Sequence, residues 1–586
     1  MPGLDSVRSR LVDSAQNVRS KLTDAASTAA DAAETVGERV AETATTVRTR
    51  AITAFETGLA VNKLRERGIF NPLRPDEGIR TLIDNRRYGP QAGVVLATAR
   101  LYPNQAALTD EKGELTYRQL DEQSNQLARG LQSIGLKEGA HIALLARDHR
   151  GLLLSILAAG KGGYRLILMN TGFAKRQFAE VAERENVQAV LHDSEFIDLL
   201  SAMPSDIPHY LTWTDEGHQV EGMTTIDALA NGQSKKALKP PKKSLGFVIL
   251  TSGTTGTPKG APRTKTSPMI SAQLVDRIPF PRQKSVVIVS PIFHSTGMVS
   301  WAISALLGNK TVLVRRFNPE NTLKLIQEHK AEMLVAVPTM LQRILDLGPD
   351  VIGKYDTSSL RIALVAGSAV SPELSRRMAA TFGDVLYNMY GSTEAAVVAI
   401  STPQEQRIAP GTVGKPPVTC HVVLLDQNDE PIEGANKSGR IFAQNGGMFE
   451  GYTDGRHKAF VKGWMSTGDT GHFDENGLLF IDGRDDDMIV SGGENVFPGE
   501  VEDLLVERDD IIEAAVIGVD DRDFGKRLRA FVVPAKGSKK DVEEIKAYVK
   551  DNLARYKVPR DVIFIDELPR NATGKLLRTK LAEYEA

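Results

Sequence analysis

The chain has 586 residues, of which 41% are hydrophobic and 25% are charged. This length excludes a single small module, and the composition is typical of a soluble globular protein rather than a disordered one. With 72 basic and 74 acidic side chains, the net charge of -2 gives the whole chain no electrostatic reason to bind nucleic acid or an anionic membrane.

Cysteine content and the length of the apolar runs indicate a protein of a reducing compartment. Cys420 is the single cysteine of the sequence, which excludes an intramolecular disulfide and a cysteine metal cluster. The longest apolar runs, such as Leu152–Ala159, are far shorter than the ~20 residues that a membrane-spanning helix needs. The N-terminus also lacks the continuous apolar segment of a secretory signal. We therefore predict a cytoplasmic protein without a transmembrane helix.

Residues 1–75 are predicted to form an amphipathic helical extension. The segment SVRSRLVDSAQ from Ser6 is followed by NVRSKLTDAAS from Asn17, so Val7 and Leu11 recur eleven residues later. An eleven-residue period keeps an apolar stripe nearly straight along a helix. Three interpretations stay open: a helix that lies peripherally on a lipid or membrane surface through residues 1–60, a helix that pairs with a partner helix, and a solvated extension.

From about Leu82 the sequence alternates short apolar runs with longer amphipathic stretches, a pattern typical of an α/β fold. We interpret the lysine- and proline-rich segment Lys235–Lys243 as a surface connection and a subdomain seam. A helix is predicted over Leu152–Ala159. The predicted strands are Ala140–Ala146, Arg165–Met169, Gly246–Leu250, Ser285–Val289, Thr311–Val314, Met333–Val337 and Arg361–Ala366.

Beyond Gly499 the sequence predicts a separate compact α+β domain of about a hundred residues. Its periodicity differs from that of the preceding region, where strands shorten and turns crowd together after His421. The predicted elements are helices over Glu500–Glu507 and Val542–Leu553 and strands over Ala514–Val519 and Leu528–Val533.

The strongest local signal is the segment TSGTTGTPKG, Thr251–Gly260, which directly follows an apolar strand. Glycines let the backbone approach an anion, hydroxyl side chains donate hydrogen bonds, and Lys259 adds positive charge, so the segment predicts a phosphate-binding loop. Its spacing differs from that of the common nucleotide P-loop, which ends in Lys-Ser or Lys-Thr. A flexible linker is the alternative interpretation.

This loop resembles the signature loop of the adenylate-forming superfamily, which contains acyl-CoA synthetases, luciferases and peptide-synthetase adenylation domains. The resemblance covers roughly Leu101–Ala586, and DMIVSGGENVFP, residues 487–498, is similar to bacterial long-chain fatty acyl-CoA synthetases. Five further motifs follow in the order of the family: PIFHSTGM (Pro291–Met298), YGSTE (Tyr390–Glu394), STGD (Ser466–Asp469), GRDDDMI (Gly483–Ile489) and PRNATGK (Pro569–Lys575).

The resemblance implies an α/β fold with a large N-terminal domain of stacked α/β subdomains plus a small β-barrel. A small mobile α+β C-terminal domain follows. With the helical extension, the implied domains are residues 1–75, residues 76–485 for binding ATP and the acid, and residues 486–586 as a mobile lid that carries a catalytic lysine.

The resemblance also implies the nucleotide site. The glycine loop would hold the β- and γ-phosphates of ATP, Tyr390 would stack on adenine, and Asp469 would bind both ribose hydroxyls with help from Arg484. Thr393 would donate to the α-phosphate, and Glu394 would bind Mg²⁺, which prefers oxygen ligands. The complete set of implied ATP-binding residues is Thr251, Ser252, Gly253, Thr254, Thr255, Gly256, Lys259, Gly367, Ser368, Ala369, Asn388, Tyr390, Gly391, Asp469 and Arg484.

The implied catalytic residues are Lys575, Thr393, Glu394 and His294. Lys575 would bridge the carboxylate of the acid and the α-phosphate as charge builds in the transition state. His294 would gate the passage between the nucleotide site and the acyl pocket, with a satisfied core histidine as the alternative. Asp486 matches the hinge of the mobile domain. The implied residues for coenzyme A are Ser491, Gly492, Gly493 and Glu494.

We therefore predict an ATP-dependent acid:CoA ligase that activates a medium- or long-chain fatty acid through an acyl-adenylate. Its partners would be fatty acid, ATP and CoA, with no nucleic acid, and its oligomeric state, monomer or homodimer, stays open. Alternatives are a ligase that stops at the acyl-adenylate or passes it to a carrier-protein thiol, and an aryl or short-chain acid:CoA ligase. An alternative of another class is a lipid-surface scaffolding protein with a vestigial enzyme domain.

Overall fold

The computed structural model describes residues 53–215, 220, 222–251, 258–264, 268–447, 449, 451–484, 489–491, 494–521, 525–553, 555–571 and 574–584. The predicted eleven-residue repeat lies outside these ranges. The chain divides into two units, residues 1–63 and 64–586. In the first unit, residues 53–63 are helical.

Eight strands, numbered here along the chain, form the first sheet of the second unit. They are β1 (Ala106–Asp110), β2 (Gly113–Thr116), β9 (Ser285–Ile288), β10 (Lys310–Leu313), β11 (Met333–Ala336), β12 (Ile362–Ala366), β13 (Leu386–Ser392) and β14 (Ala396–Ser401). Their order is β14-β13-β12-β11-β9-β10-β1-β2. The two edge pairs are antiparallel, and the strands between them pair in parallel. All five residues of β12 are buried, because helices cover both faces of a parallel sheet.

The second sheet has six strands. They are β3 (His141–Leu145), β4 (Arg165–Leu168), β5 (Ala189–Asp193), β6 (His209–Trp213), β7 (Phe247–Thr251) and β8 (Lys259–Arg263). Their order is β6-β5-β3-β4-β7-β8, and only the pair β7 and β8 is antiparallel. Because β7 pairs with β4, the segment Lys235–Lys243 connects strands of one sheet, and the seam predicted there is wrong. That segment is an irregular surface connection, as predicted.

Most helices of this region bury apolar residues, whereas the helix Pro75–Tyr88 buries none. Polar residues start several of them: Thr116 and Thr402 each form a capping box, and Asn318 and Ser371 accept from the backbone of the first turn. The helices are α1 (Pro75–Tyr88), α2 (Pro90–Leu101), α3 (Tyr117–Ser133), α4 (Arg150–Gly162), α5 (Lys175–Arg184), α6 (Ile197–Leu200), α7 (Ile226–Ala230), α8 (Pro268–Arg277), α9 (Ser295–Leu306), α10 (Pro319–His329), α11 (Pro338–Leu345), α12 (Pro349–Ile352), α13 (Pro372–Phe382) and α14 (Pro403–Ile408), with a short 3-10 helix at Ser194–Phe196.

A small antiparallel sheet stands where the sequence predicts a small barrel. Its five strands are β15 (His421–Leu425), β16 (Gly439–Gln444), β17 (Phe460–Val461), β18 (Trp464–Phe473) and β19 (Leu479–Arg484). The long strand β18 pairs with β16, β17 and β19. Cys420, just before β15, is buried and free, and burial raises the pKa of its thiol to about 12.

The C-terminal region is a small α+β arrangement, as predicted. Its strands are β20 (Ile489–Ser491), β21 (Glu494–Val496), β22 (Ile511–Asp521), β23 (Gly525–Pro534) and β24 (Asp561–Phe564), and its helices are α15 (Pro498–Val506), α16 (Val542–Asn552) and α17 (Arg578–Ala582), with a 3-10 helix at Arg555–Lys557. Separate apolar clusters cover the two faces of the sheet formed by these strands. The mixed α/β class, with a large N-terminal and a small C-terminal domain, is therefore confirmed.

Among the helices that the structure describes, none combines the length and the apolar character that crossing a bilayer requires.

Candidate active site

The predicted motifs meet at one edge of the eight-stranded sheet. His294 follows β9, the GSA segment from Gly367 follows β12, and the YGSTE segment lies at the end of β13. These strands are close neighbours in a parallel arrangement, so their carboxyl ends point to the same edge. In open α/β sheets this edge is where ligands bind. The sheet therefore places motifs that are distant in sequence beside one another.

The predicted phosphate-binding loop lies between two paired strands. Thr251 ends β7 and Lys259 begins β8, and the two residues are register partners, while Ser252, Gly253, Thr254, Thr255 and Gly256 lie outside the described residues. The Lys259 ammonium lies 5.1 Å from the centre of the Tyr452 ring. A cation over an aromatic face is attracted to the ring electrons. The pairing of β7 and β8 thus fixes the two ends of the loop, and Lys259 lies beside the ring of Tyr452.

A close backbone approach explains the glycine of YGSTE. A Cβ atom on Gly391 would lie 1.9 Å from the carbonyl oxygen of Ala396, a distance that no real side chain allows. The turn between β13 and β14 also places Ala396 in the left-handed region, with a φ of 56°. The tight hairpin presents Thr393 and Glu394 at the sheet edge. The Thr393 hydroxyl lies 3.0 Å from the Ser295 hydroxyl in the first turn of α9.

Glu394 is a buried carboxylate with a direct hydrogen-bond donor. The Tyr452 hydroxyl donates to Glu394 Oε1 at 2.6 Å. Burial alone would raise the pKa of Glu394, but the hydrogen bond from Tyr452, backbone hydrogen bonds and the charge of Lys458 together lower it below its ordinary value. Glu394 is therefore ionised at neutral pH. Tyr452 was missed in the sequence, where its only signal is an aromatic residue inside a glycine-rich stretch.

Tyr390 and Asp469 are joined across two sheets. The Tyr390 hydroxyl, on β13, donates to Asp469 Oδ2 at 2.5 Å. Asp469 lies on β18 opposite Arg484 of β19, and Arg484 Nε is 3.5 Å from Asp469 Oδ1. Burial raises the pKa of Asp469, and the hydrogen bond from Tyr390 and the positive charges of Arg484, Lys458 and Lys575 act against that rise. The structure thus brings the implied adenine and ribose residues together.

His294 is buried and electrically neutral. It precedes α9 without capping it, and its ring centre lies 4.3 Å from that of Phe293. Burial lowers the pKa of His294 to about 3, so the imidazole carries no charge at pH 7. In the part of the chain that the structure describes, nothing hydrogen-bonds its Nε2 atom. The arrangement therefore differs from the alternative of a satisfied core histidine.

Asp148 fixes the segment that carries His294. It is buried after β3, and its Oδ1 accepts a hydrogen bond of 3.0 Å from the backbone amide of Ile292. Burial raises the pKa of Asp148 to about 7. Sequence reasoning missed this residue, because nothing in ARDHR indicates that its aspartate packs against PIFHSTGM.

The GSA segment and Asn388 also reach this edge. Gly367 has a φ of 95°, in the region that favours glycine, and directly follows β12. Ser368 has a buried hydroxyl with no hydrogen-bond partner among the described residues. Asn388 is buried on β13, and its side-chain amide donates to the carbonyl of Thr412 at 3.3 Å. Asn388 therefore has a structural bond in addition to its implied place beside the nucleotide.

Lys575 lies in a turn that packs against the end of β11. The Asn571 side chain accepts from the Lys575 amide at 2.9 Å, and Arg570 donates to the Gly574 carbonyl at 2.8 Å. Gly574 has a φ of 77°, and a Cβ atom there would lie 2.6 Å from Thr339 Oγ1 in α11. The charge of Lys575 also acts against the rise that burial causes in the pKa of Asp469. Both observations place the lysine turn at the edge that carries the other motifs.

The implied hinge and CoA residues are covered only in part. Asp486, Gly492 and Gly493 lie outside the described residues. Ser491 and Glu494 are register partners of the antiparallel pair β20 and β21. Their roles stay predictions.

Two family models match the chain. The model of the AMP-binding enzyme covers residues 95–453, and that of the AMP-binding enzyme C-terminal domain covers residues 500–575. The sequence is 30% identical to the 2-succinylbenzoate–CoA ligase of Bacillus licheniformis over 82% of this chain and 98% of the relative. It is 27% identical to the mitochondrial medium-chain acyl-CoA ligase ACSF2 of Mus musculus, over 83% and 86% of the two chains. The indoleacetate–CoA ligase of Aromatoleum aromaticum is 28% identical, over 83% and 96%.

Solved structures share the fold. The o-succinylbenzoate CoA synthetase of Bacillus subtilis, in complex with its acyl-adenylate intermediate, matches with a TM-score of 0.72 and 27% identity over 84% of this chain and 98% of that chain. ATP-bound MatB of Rhodopseudomonas palustris matches with a TM-score of 0.73 and 26% identity, over 83% and 98%. Both similarities extend over most of the present chain and nearly all of the other.

Proposed function

The chain belongs to the AMP-binding enzyme family and is an ATP-dependent, AMP-forming acid–CoA ligase, and on this premise we propose that its acid is a medium- or long-chain fatty acid. The observation that carries the choice of acid is α9, which starts beside Thr393 and holds no charged side chain over its twelve residues. Its buried members include Met298, Trp301 and Ile303. An uncharged wall suits an apolar chain, whereas a second carboxylate would need a positive partner.

The proposed reaction has two steps. A carboxylate oxygen of the acid attacks the α-phosphorus of ATP, the bond to pyrophosphate breaks, and an acyl-adenylate forms. The sulfur of CoA, having lost its proton, then attacks the acyl carbon, and AMP leaves as the thioester forms. Both steps bring negative groups together, so the protein contributes by positioning positive charge and hydrogen-bond donors.

We assign the residues of the first step as the sequence implies. Thr393 donates to the α-phosphate, Asp469 accepts from the ribose hydroxyls, and Lys575 bridges the carboxylate and the α-phosphate. Two observations support this assignment: the lysine turn packs against Thr339 at the same sheet edge, and the charge of Lys575 acts against the rise that burial causes in the pKa of Asp469. The buried, neutral His294 directly precedes α9, whose first turn contacts Thr393, and this position suits a gate.

Glu394 is the proposed protein ligand of Mg²⁺. Its buried and ionised carboxylate fits a hard cation that keeps several waters and takes further oxygens from substrate phosphates. The described residues contain no group of three or more histidine, cysteine or acidic side chains that could hold a metal, which agrees with an ion held mainly by ATP and water. A bound Mg²⁺ would neutralise charge on the phosphates.

The second candidate is an aryl acid:CoA ligase. The similarity to the succinylbenzoate and indoleacetate ligases favours it, since those relatives match over nearly their whole length. An apolar pocket that accepts an alkyl chain also accepts a ring of similar width.

A panel of acids separates the two candidates. Straight-chain acids from acetate to eicosanoate are compared with benzoate, indoleacetate and 2-succinylbenzoate, and kcat/KM is measured by AMP release with and without CoA. We expect the highest values for medium or long chains and AMP release that depends on CoA. A ring acid with the highest value would overturn the fatty-acid proposal. Accumulation of adenylate without CoA turnover would indicate another acceptor, and no ATP–pyrophosphate exchange with any acid would indicate a vestigial enzyme.

A further inference from the structure

Helix α1 has its polar and apolar faces reversed relative to an ordinary surface helix. None of its fourteen residues is buried, and its apolar side chains point to solvent. Ile79, Leu82 and Ile83 are 58%, 56% and 41% exposed, and Leu73, just before the helix, is 87% exposed. Spacings of three and four residues place the first three on one side of the helix. These four residues are called here the α1 apolar face.

The opposite side of α1 is polar and faces the protein. Glu77 and Asp84 both accept from Arg100 of α2, each at 2.9 Å, and their side chains are only 13% and 19% exposed. Tyr88 donates to the carbonyl of Leu238 at 2.9 Å. A surface helix normally turns its apolar stripe to the core and its charges to water. In α1 the side that faces the protein instead carries two acids, Glu77 and Asp84, and Arg100 of α2 binds both.

This arrangement leaves the outward side basic as well as apolar. Arg80, Arg86 and Arg87 are exposed, and neither Arg86 nor Arg87 has an ion-pair partner among the residues that the structure describes. Arg80 reaches Glu77 only at 3.7 Å. The acid on this side, Asp76, is paired with Arg74. The outward side of α1 therefore combines apolar side chains with arginines, while Glu77 and Asp84 face the protein. Such a side complements a surface that presents both apolar and anionic groups.

We propose that the α1 apolar face binds a membrane surface that contains anionic lipid. The apolar side chains would enter the boundary between headgroups and acyl chains, as in helices that lie in the plane of an interface. Long arginine side chains can keep their charged ends at the headgroups while their stems lie on apolar surface. Each arginine near an anionic surface strengthens binding by about fivefold at low salt. This inference is independent of which acid the enzyme activates.

Vesicle co-sedimentation of the full chain tests the proposal. Vesicles of phosphatidylcholine alone are compared with vesicles in which about a third of the lipid is phosphatidylglycerol, at low and high salt. Two variants of the face are used, the triple Ile79→Ser, Leu82→Ser, Ile83→Ser and the double Arg86→Gln, Arg87→Gln. Matched controls elsewhere on the surface are Ile408→Ser, which replaces a residue that is 70% exposed, and Arg176→Gln, whose side chain is 91% exposed.

We expect the full chain to bind the anionic vesicles and to lose binding at high salt. Each face variant should lower the partition coefficient by at least about tenfold, and the two controls should not change it. ATP–pyrophosphate exchange with a soluble acid should be unchanged in all variants, which shows that they are folded.

Three results would overturn the proposal. One is binding by the face variants equal to that of the unchanged chain, as expected if residues 1–52 alone bind lipid. Another is binding that is the same with and without phosphatidylglycerol. The third is a dimer, seen by light scattering without vesicles, that the triple variant abolishes, since the face would then join two copies of this chain.

Discussion

The charged residues of the site are held by partners that set their protonation. Glu394 stays ionised although it is buried, because Tyr452 and Lys458 offset the cost of burial. His294 is neutral for the opposite reason, since burial acts on it without a compensating partner. Burial raises the pKa of Asp469, while the hydrogen bond from Tyr390 and nearby positive charges act against that rise. The protonation of each group is thus a product of its neighbours in space.

The first prediction concerns Lys575. The variant Lys575→Ala should lower acyl-adenylate formation by about a hundredfold or more, because a charge that acts mainly in the transition state is lost. Thioester formation from a supplied acyl-adenylate should be nearly unchanged. ATP–pyrophosphate exchange measures the first step, and release of AMP from the adenylate with CoA measures the second. Lys580→Ala, in α17, is the control, and equal loss of both steps in Lys575→Ala would contradict the assignment.

The second prediction concerns the pH dependence set by Tyr452. The Tyr452→Phe variant keeps the ring beside Lys259 but removes the hydrogen bond that lowers the pKa of Glu394. The pKa of Glu394 should rise, so the acid limb of the profile of kcat/KM against pH should move to higher pH. The stability that ionised Glu394 contributes is lost as pH falls through its folded pKa, and in the variant this loss should begin at higher pH. An unmoved acid limb would show that Glu394 does not control it.

At the scale of elements, the site depends on turns that leave no room for side chains. The hairpin of β13 and β14 brings the Ala396 carbonyl against Gly391, and the lysine turn brings Gly574 against α11. Each turn follows or precedes regular structure whose periodicity is visible in the sequence. Because local periodicity predicts regular elements, the predicted strands and helices agree with the structure to within a few residues at each end.

The third prediction concerns the hairpin. Gly391→Ala should destabilise the protein by about 1 to 3 kcal/mol, because its Cβ cannot be accommodated without moving the backbone of Ala396. Gly499→Ala, in the first turn of α15, is the matched control, since its nearest neighbour would be 3.7 Å away. Urea unfolding of both variants measures the difference. Equal midpoints for the two variants would show that the hairpin yields to the extra atom.

At the scale of the whole molecule, the C-terminal region packs its lysine turn on the large domain, the arrangement that our proposal for the first step requires. The turn of Lys575 contacts α11, and Arg376 of α13 lies 3.7 Å from Glu507 at the end of α15. The ion pair is exposed and the contact of the lysine turn is partly buried, which is compatible with the rotation that the resemblance implies. The domain boundary at residue 486 stays a prediction.

The fourth prediction tests this packing. Gly574→Val should slow acyl-adenylate formation but spare thioester formation from a supplied adenylate, because its side chain collides with Thr339 only in this arrangement. Gly537→Val is the matched control: its φ of 84° is equally unfavourable for valine, but no atom lies near it. The same two half-reactions are measured. A loss of both steps in Gly574→Val, or an equal effect of Gly537→Val, would contradict the prediction.

Ordered motifs and local periodicity predict the family and the α/β class, and both predictions are confirmed. The same motifs name candidate residues for the nucleotide site, whose roles stay predictions. The residues that support these candidates became visible only in the folded chain. Tyr452 and Asp148 act through contacts with residues distant in the chain, and Lys235–Lys243 proved to connect strands of one sheet. The reversed faces of α1 were equally hidden, because a helical period shows that two faces differ but not which one the neighbouring helix covers. The nearly neutral chain of 586 residues thus carries a local basic and apolar surface that its total charge conceals.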